Sequence, residues 1–260
     1  MRDVLNNNIA AVILAAGLGK RMQSNLPKVL HKICDKPMVL YVIETARKIV
    51  GNNIVVVIGH QAETVRDIID QKAQVIYAYQ DVPLGTGHAV KCAFQCLNDF
   101  VEHVVILCGD VPFLSFATIS KLTDNHKEGK CDITILGVKR DVPDGYGRIN
   151  LNTNGKVVSI IEHVDASDKE KKNKLTNSGV YCIKKEFLKG ALDQLNTSNF
   201  KGEYYLTDVV EIAHRLGKTI GLVISENTDE LMGINTIEEL HRAELILKNS
   251  NIGKKLDFIC

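Results

Sequence analysis

Apolar residues in the first half of the chain fall into two alternating textures. Short β-branched runs at 10–15, 53–58, 74–79 and 104–107, bounded by Gly, Asn or Asp, predict strands. Between them, 38–50, 62–70 and 88–97 carry apolar residues three and four apart, which predicts amphipathic helices. Pro37 suits the first turn of the first helix. Strands alternating with helices imply βαβ units and a largely parallel sheet covered on both faces.

After Cys131 the texture changes. Runs at 133–138, 148–151, 157–162 and 177–183 predict strands, and Asn152-Thr-Asn-Gly155 is a hairpin turn signal. The lysine- and acid-rich stretch 164–174 reads as a solvated loop or short helix. Helical patterns at 206–216 and 237–247 bracket one more strand at 219–224. No Pro/Ser-rich linker, low-complexity tract or internal repeat interrupts the chain. The expectation is one α/β domain over 9–248, between tails at 1–8 and 249–260. Its sheet is doubly wound, mostly parallel and Rossmann-like, with an antiparallel β extension in the second half.

Composition narrows the partners. The 260 residues are 45% hydrophobic and 24% charged, enough for a sizeable core and against disorder. Thirty-two Lys+Arg against 31 Asp+Glu leave a formal charge of +1, so no global field favours nucleic acid or an anionic membrane. Neither is an expected partner, and any anion must be held by a local site. The apolar run 9–16 faintly resembles a signal peptide, but Gly-Leu-Gly-Lys-Arg follows at once, and no stretch nears the ~20 apolar residues of a membrane span. The seven cysteines include no CxxC pair and are expected as reduced, packed thiols.

The chemistry starts at Leu14-Ala-Ala-Gly-Leu-Gly-Lys-Arg-Met22, directly after the first strand. In an open α/β sheet, ligands bind beyond the carboxyl ends of strands. Gly17 and Gly19 allow positive φ and close backbone approach to phosphate oxygens. Lys20, Arg21 and Lys28 add cations nearby. A dinucleotide site needs a third glycine where Met22 stands, and a ribose-binding acid where Ile58-Gly59-His60 stands. The GxxxxGK[ST] of a P-loop is absent as well. On its own the GxG is a phosphate cradle or a tight turn; the clustered cations favour the cradle.

Further motifs follow in order: Leu26-Pro-Lys-Val-Leu-His31, Leu84-Gly-Thr-Gly-His-Ala89, Gly109-Asp-Val-Pro112, Gly145-Tyr-Gly-Arg-Ile149, Glu162-His163, Asn177-Ser-Gly179, Gly202-Glu-Tyr-Tyr-Leu-Thr-Asp208 and Gly233-Ile-Asn235. Jointly they resemble the sugar-1-phosphate nucleotidylyltransferases, and among them the uridylyltransferases that make UDP-N-acetylglucosamine. The resemblance covers about 9–245. It implies attack by N-acetylglucosamine 1-phosphate on the α-phosphorus of UTP, with pyrophosphate leaving. A phosphate monoester is already anionic at neutral pH, so positioning and charge neutralisation carry the rate.

The same resemblance distributes roles. Arg21 and Lys28 are the implied catalytic cations. Leu14, Ala15, Ala16, Gly17, Gly19, Gln80, Gly85 and Thr86 are implied to hold the nucleotide, and Gly147, Glu162, Asn177, Tyr205 and Thr207 the sugar. Asp110 and Asn235 are the implied ligands of a Mg²⁺ cofactor. Read alone, Gly-Asp-Val-Pro is a strand-ending turn and Asn235 a helix N-cap before Ile237. A cytoplasmic role supplying peptidoglycan synthesis is implied too.

Two departures touch the pockets. Cys108 stands where the family commonly has an aromatic, and Asp81-Val-Pro83 is an unusual filler beside the base site. Bifunctional relatives add a hexapeptide-repeat acetyltransferase domain, but no period of six follows Asn235. The chain is therefore expected to be a monomer or weak dimer without acetyl transfer. The alternatives are another sugar 1-phosphate, of glucose or mannose type, or a non-catalytic binding module. Retention of Arg21, Lys28, Asp110 and Asn235 together argues against lost turnover.

Overall fold

The computed structural model describes residues 8–249, so the expected tails at 1–8 and 249–260 lie outside the described residues except at their borders. The first half runs β1 (Ile9–Leu14), single 3₁₀ turns at Lys20–Met22 and Lys28–Leu30, a two-residue hairpin β2 (Lys32–Ile33) and β3 (Lys36–Pro37), and α1 (Met38–Val50). It continues with β4 (Ile54–Ile58), α2 (Ala62–Asp70), β5 (Ile76–Tyr79), α3 (Thr86–Phe94), β6 (His103–Cys108) and α4 (Phe116–Glu128). The second half holds β7 (Ile133–Lys139), β8 (Arg148–Leu151), β9 (Val157–Ile161), α5 (Asp168–Lys171) and β10 (Leu175–Lys184). Then come α6 (Lys185–Leu192), α7 (Asp208–Arg215), β11 (Ile220–Ser225), a 3₁₀ turn at Asp229–Leu231 and α8 (Ile237–Asn249).

The main sheet is nine-stranded, with the path β11-β7-β10-β6-β1-β4-β5 and the β8–β9 hairpin beside β10. β1 pairs in parallel with β4 and β6, as β4 does with β5 and β11 with β7. The expected antiparallel extension is partly an insertion. β10 runs antiparallel between β6 and β7, with its register shifting between Asn177 and Val180.

Alternation along the strands explains why both faces are covered. Ala10, Val12, Val57 and Ile106 join one core with residues of α3, α6 and α7. Their neighbours Ala11, Ile13, Val56 and Leu107 join a second core with α1, α2 and α4. This is the doubly wound arrangement. α1 buries ten of its thirteen residues because it packs between the sheet and a third cluster, where α8 brings Leu240, Ala243 and Leu247 against Ile33, Met38 and Tyr41.

Several expectations are corrected in detail. α4 and α6 were not predicted. Pro37 precedes α1 and pairs with Lys32 rather than forming the first helical turn. The 164–174 stretch contains α5, closed by a Ser167–Glu170 capping box. Cys92, Cys96, Cys108, Cys131 and Cys182 are free thiols, whereas Cys34 is disulfide-bonded, a pairing that spacing alone does not reveal. Among the described residues no helix is long and apolar enough to cross a membrane.

One polar chain sits at the amino end of β6. His103 Nδ1 lies 3.1 Å from His126 Nε2, and His126 Nδ1 lies 2.9 Å from Thr134 Oγ1. Burial, then the neighbouring His103, Lys184 and Lys127, pushes His126 down to about 4, with Asp132 opposing. Burial and Lys127 also lower His103, against Glu102. A depressed histidine contributes stability that is complete above its unfolded value near 6.5 and is lost as pH falls toward the folded value. Urea denaturation should therefore show stability falling by up to about 1.4 kcal/mol per pH unit per proton taken up below pH ~6.5. His126→Asn should flatten that slope between about pH 6.5 and 4. An unchanged slope would show that His126 is not the group whose proton uptake is suppressed by folding.

Candidate active site

The chain leaves β1 for β4 on one side, then returns past β1 to place β6 on the other. β1 and β6 thus flank the switch point, where connections diverge and a crevice opens at the carboxyl ends. Leu14 pairs with Cys108 in register, and the Gly109 N–H donates to the Leu14 carbonyl at 2.9 Å. The glycine loop and Asp110 emerge side by side for that reason.

Within the loop, Gly19 has φ 60° and a Cβ there would lie 2.7 Å from Lys28 Cβ, so only glycine lets Lys28 pass beneath it. Gly17 was expected to share the positive φ and does not; a Cβ there would meet open space. A cavity of about 600 Å³ opens beside the loop. Leu14, Ala15, Ala16, Gly17 and Gly19 line it, as do Gln80, Gly85 and Thr86. All eight expected nucleotide residues therefore face one space, with Lys28 and Asp110 at its wall.

Four polar side chains converge there. The Lys28 ammonium pairs with the Asp110 carboxylate and donates to Asn235 Oδ1 at 3.1 Å. Arg21 Nη2 donates to the same oxygen at 2.9 Å. The Asp110 carbonyl accepts from the Ile234 N–H at 2.9 Å, tying the Asn235 segment to the end of β6. Asn235 was expected as the N-cap of the last helix. That cap is Thr236, whose Oγ1 accepts from the Glu239 N–H, while Glu239 accepts from the Asn235 and Thr236 N–H groups. The Asn235 side chain is left facing the cations.

Asp110 and Asn235 offer hard oxygens, and both already meet one cation. Mg²⁺ takes one or two protein oxygens and completes its shell with phosphate and water, so the donor set fits it. Among the described residues no group of three or more His, Cys, Asp or Glu could hold a metal alone.

The sugar-side expectations form two pairs beyond Cys108. The Asn177 N–H donates to the Gly147 carbonyl at 2.9 Å, and Thr207 Oγ1 donates to Glu162 Oε1 at 3.1 Å. Asn177 Nδ2 donates to the Tyr181 hydroxyl at 2.7 Å, and Cys108 Sγ to the Gly179 carbonyl at 3.5 Å. Burial raises the Glu162 carboxyl, with the Thr207 bond opposing. Burial, with Asp110 adding, pushes the Cys108 thiol up to about 12, so it stays protonated. Glu162 and Tyr205 line a separate hollow of about 350 Å³ with Asp165, Asp208 and Arg215, and none of Gly147, Glu162, Asn177, Tyr205 and Thr207 lines the cavity beside the glycine loop. Burial, then Glu211 and Glu162, lifts Asp208 to about 6.

Glu203 also lines this larger cavity and had no role assigned from the sequence, whereas Pro83 of the filler segment lines it as that segment's place beside the base site implied. The signal lay within reach for Glu203, since the Tyr204 N–H and carbonyl bond to Leu84 and Gly87 and bring the 202–208 motif onto the glycine turn. Thr86 was expected to offer its hydroxyl to the base. That oxygen accepts from the Leu206 N–H at 3.0 Å, so the hydroxyl is already partly engaged, with its O–H and one lone pair remaining.

A family model described as nucleotidyl transferase matches residues 10–228. The chain is 45% identical over 240 residues to the bifunctional protein GlmU of Caldanaerobacter subterraneus subsp. tengcongensis, covering 92% of this chain and 52% of that protein. It is 47% identical over 226 residues to the bifunctional protein GlmU of Clostridium acetobutylicum, covering 87% and 49%. The chain thus spans about half the length of these relatives. A Bacillus anthracis structure described as a glucose-1-phosphate thymidylyltransferase shares the fold at a TM-score of 0.72 and 18% identity, over 96% of this chain and all of that one. With the motifs in family order and the loop and carboxylate at one switch point, the chain belongs to the nucleotidyl transferase family.

Proposed function

We propose that the chain transfers the uridylyl group of UTP to N-acetylglucosamine 1-phosphate, giving UDP-N-acetylglucosamine and pyrophosphate. The observation that carries the reading is the meeting of Arg21, Lys28, Asp110 and Asn235 at the ends of β1 and β6. In the reaction a phosphate oxygen of the sugar forms a bond to the α-phosphorus, and the bond from that phosphorus to the bridging oxygen of pyrophosphate breaks. Charge accumulates on the α-phosphoryl oxygens and on the leaving group. Lys28 is placed to neutralise the first, and Arg21 with the loop N–H groups to hold the second. Asp110 and Asn235 would hold Mg²⁺, which when bound supplies further neutralisation of the phosphates. No general base is needed, because the attacking phosphate oxygen is already anionic at neutral pH. Glu162, Thr207, Asn177 and Gly147 are proposed to meet the sugar, and a cytoplasmic setting follows from these substrates.

The test is pyrophosphate release over a panel of UTP, CTP, ATP and dTTP with N-acetylglucosamine, glucose and mannose 1-phosphates. UTP with N-acetylglucosamine 1-phosphate is expected to be fastest. A site that hydrogen-bonds the base edge rejects analogues that leave buried polar groups unpaired. Equal rates with UTP and ATP would remove the base assignment. No release with any pair would make the chain a binding module.

A further inference from the structure

Gln80 lines the nucleotide cavity and is 6% exposed. It follows β5, and its main-chain N–H donates to the Ile58 carbonyl at 2.8 Å, which fixes its backbone at the rim of the sheet. Its side-chain Nε2 donates to the Gly85 carbonyl at 2.9 Å and lies 3.1 Å from His88 Nδ1. A backbone carbonyl can only accept, so the half of the carboxamide facing Gly85 is the NH₂ group. One hydrogen goes to Gly85 and the other points at His88, whose Nδ1 must then be the unprotonated, accepting nitrogen. In the neutral ring the proton sits on Nε2, which faces Cys92 Sγ at 3.9 Å. Both Gln80 donors are thereby engaged. Its remaining hydrogen-bonding atom is Oε1, an acceptor, on a residue that lines the nucleotide cavity.

We infer that His88 is a positioning residue that holds the Gln80 carboxamide in its accepting orientation, so that the site takes a base with an N3–H, uracil or thymine, and rejects cytosine. The inference rests on the nucleotide-site reading above. The physical basis is the pseudo-symmetry of a carboxamide, whose rotation by half a turn exchanges acceptor for donor. Cytosine presents a bare accepting N3 and would be satisfied by the rotated amide. The Gly85 carbonyl opposes that rotation from one side, and His88 Nδ1 opposes it from the other. The ring itself is steadied on α3, whose first turn is pinned by the Gly87 N–H donating to the Tyr204 carbonyl at 2.8 Å. Behind it lies a second cavity of about 520 Å³, lined by His88, Cys92 and Tyr204, so a change at His88 can be absorbed without moving the nucleotide wall.

The experiment compares kcat/KM for UTP, dTTP and CTP in the wild-type chain, His88→Leu and His88→Asn, with calorimetric affinities for UDP and CDP beside them. His88→Leu removes the acceptor, whereas His88→Asn returns one through Oδ1. The wild type is expected to favour UTP over CTP. His88→Leu should lower that ratio about tenfold, the worth of roughly one net hydrogen bond. The UTP-to-dTTP ratio should hold, because both bases share the N3–H, and His88→Asn should recover most of the UTP-to-CTP ratio. The UDP-to-CDP affinities should follow the same order. If His88→Leu lowers all three nucleotides equally, or leaves the UTP-to-CTP ratio at the wild-type value, the inference fails while the uridylyl reading stands. A wild type with no preference for UTP over CTP would overturn both.

Discussion

Asp110→Asn is expected to lower turnover by about 10²–10³-fold or more while leaving the fold intact. The structural side follows from what Asp110 holds. Its fold-level contact is its main-chain carbonyl, which accepts from Ile234 and survives the substitution. The side chain of asparagine has nearly the same shape, and the position is only partly buried, with the carboxylate 18% exposed. The chemical side is different. The carboxylate is the negative group facing Lys28 at the switch-point cavity, and a neutral amide is a far poorer partner for a hard divalent cation. Chelation by EDTA is expected to produce the same loss without any mutation. Circular dichroism and a thermal melt would check the fold, and pyrophosphate release would check turnover. Full activity in EDTA would sink the metal assignment, and a melted Asp110→Asn chain would show that the carboxylate is structural.

Legibility in the sequence tracked how local the determining interaction is. α1 and α2 run over the residues that apolar spacing predicts, because α1 is buried on nearly all sides and α2 sets Val65 and Ile69, four apart, against the sheet. α4 escaped because its buried residues, Ile119, Leu122, Thr123 and His126, include two polar ones, which blurs the stripe. Its one overt mark was Ser115, whose hydroxyl accepts from the Thr118 N–H. α6 escaped for another reason: Lys184 ends β10 and caps α6 at once, so no turn residue separates them. The glycine loop was legible as a local motif, and its meeting with Asp110 follows from parallel pairing of β1 with β6. Asn235 is the opposite case. It lies 214 residues from Arg21, and it is brought back to the loop by the packing of the last helix against the β2–β3 hairpin together with the Ile234–Asp110 main-chain bond. Capping chemistry pointed to the right neighbourhood but to the wrong residue, since threonine and asparagine are both good caps and only the structure decides between them.

Lys28→Ala should match Asp110→Asn in the size of its effect on turnover, about 10²–10³-fold, but differ from it in metal affinity. Alanine keeps the Cβ that sits under Gly19, so the loop geometry is retained and only the charged stem is lost. Lys28→Arg should recover little, because a planar fork cannot reproduce a point charge held between two oxygens. Arg21→Ala is expected to cost less than Lys28→Ala, since Arg21 is exposed and meets Asn235 from the solvent side. Metal binding separates the roles. Without nucleotide, the Lys28 ammonium occupies both Asp110 and Asn235 oxygens, the same atoms proposed to hold Mg²⁺. Removing it takes away a competing cation and leaves the carboxylate uncompensated. Manganese titration followed by electron paramagnetic resonance should therefore find tighter binding to nucleotide-free Lys28→Ala than to the wild type, even as turnover collapses. Asp110→Asn should bind more weakly on both counts. Equal manganese affinity in wild type and Lys28→Ala would mean that the lysine and the metal do not share these oxygens, and wild-type turnover in Lys28→Ala would remove Lys28 from the phosphate site.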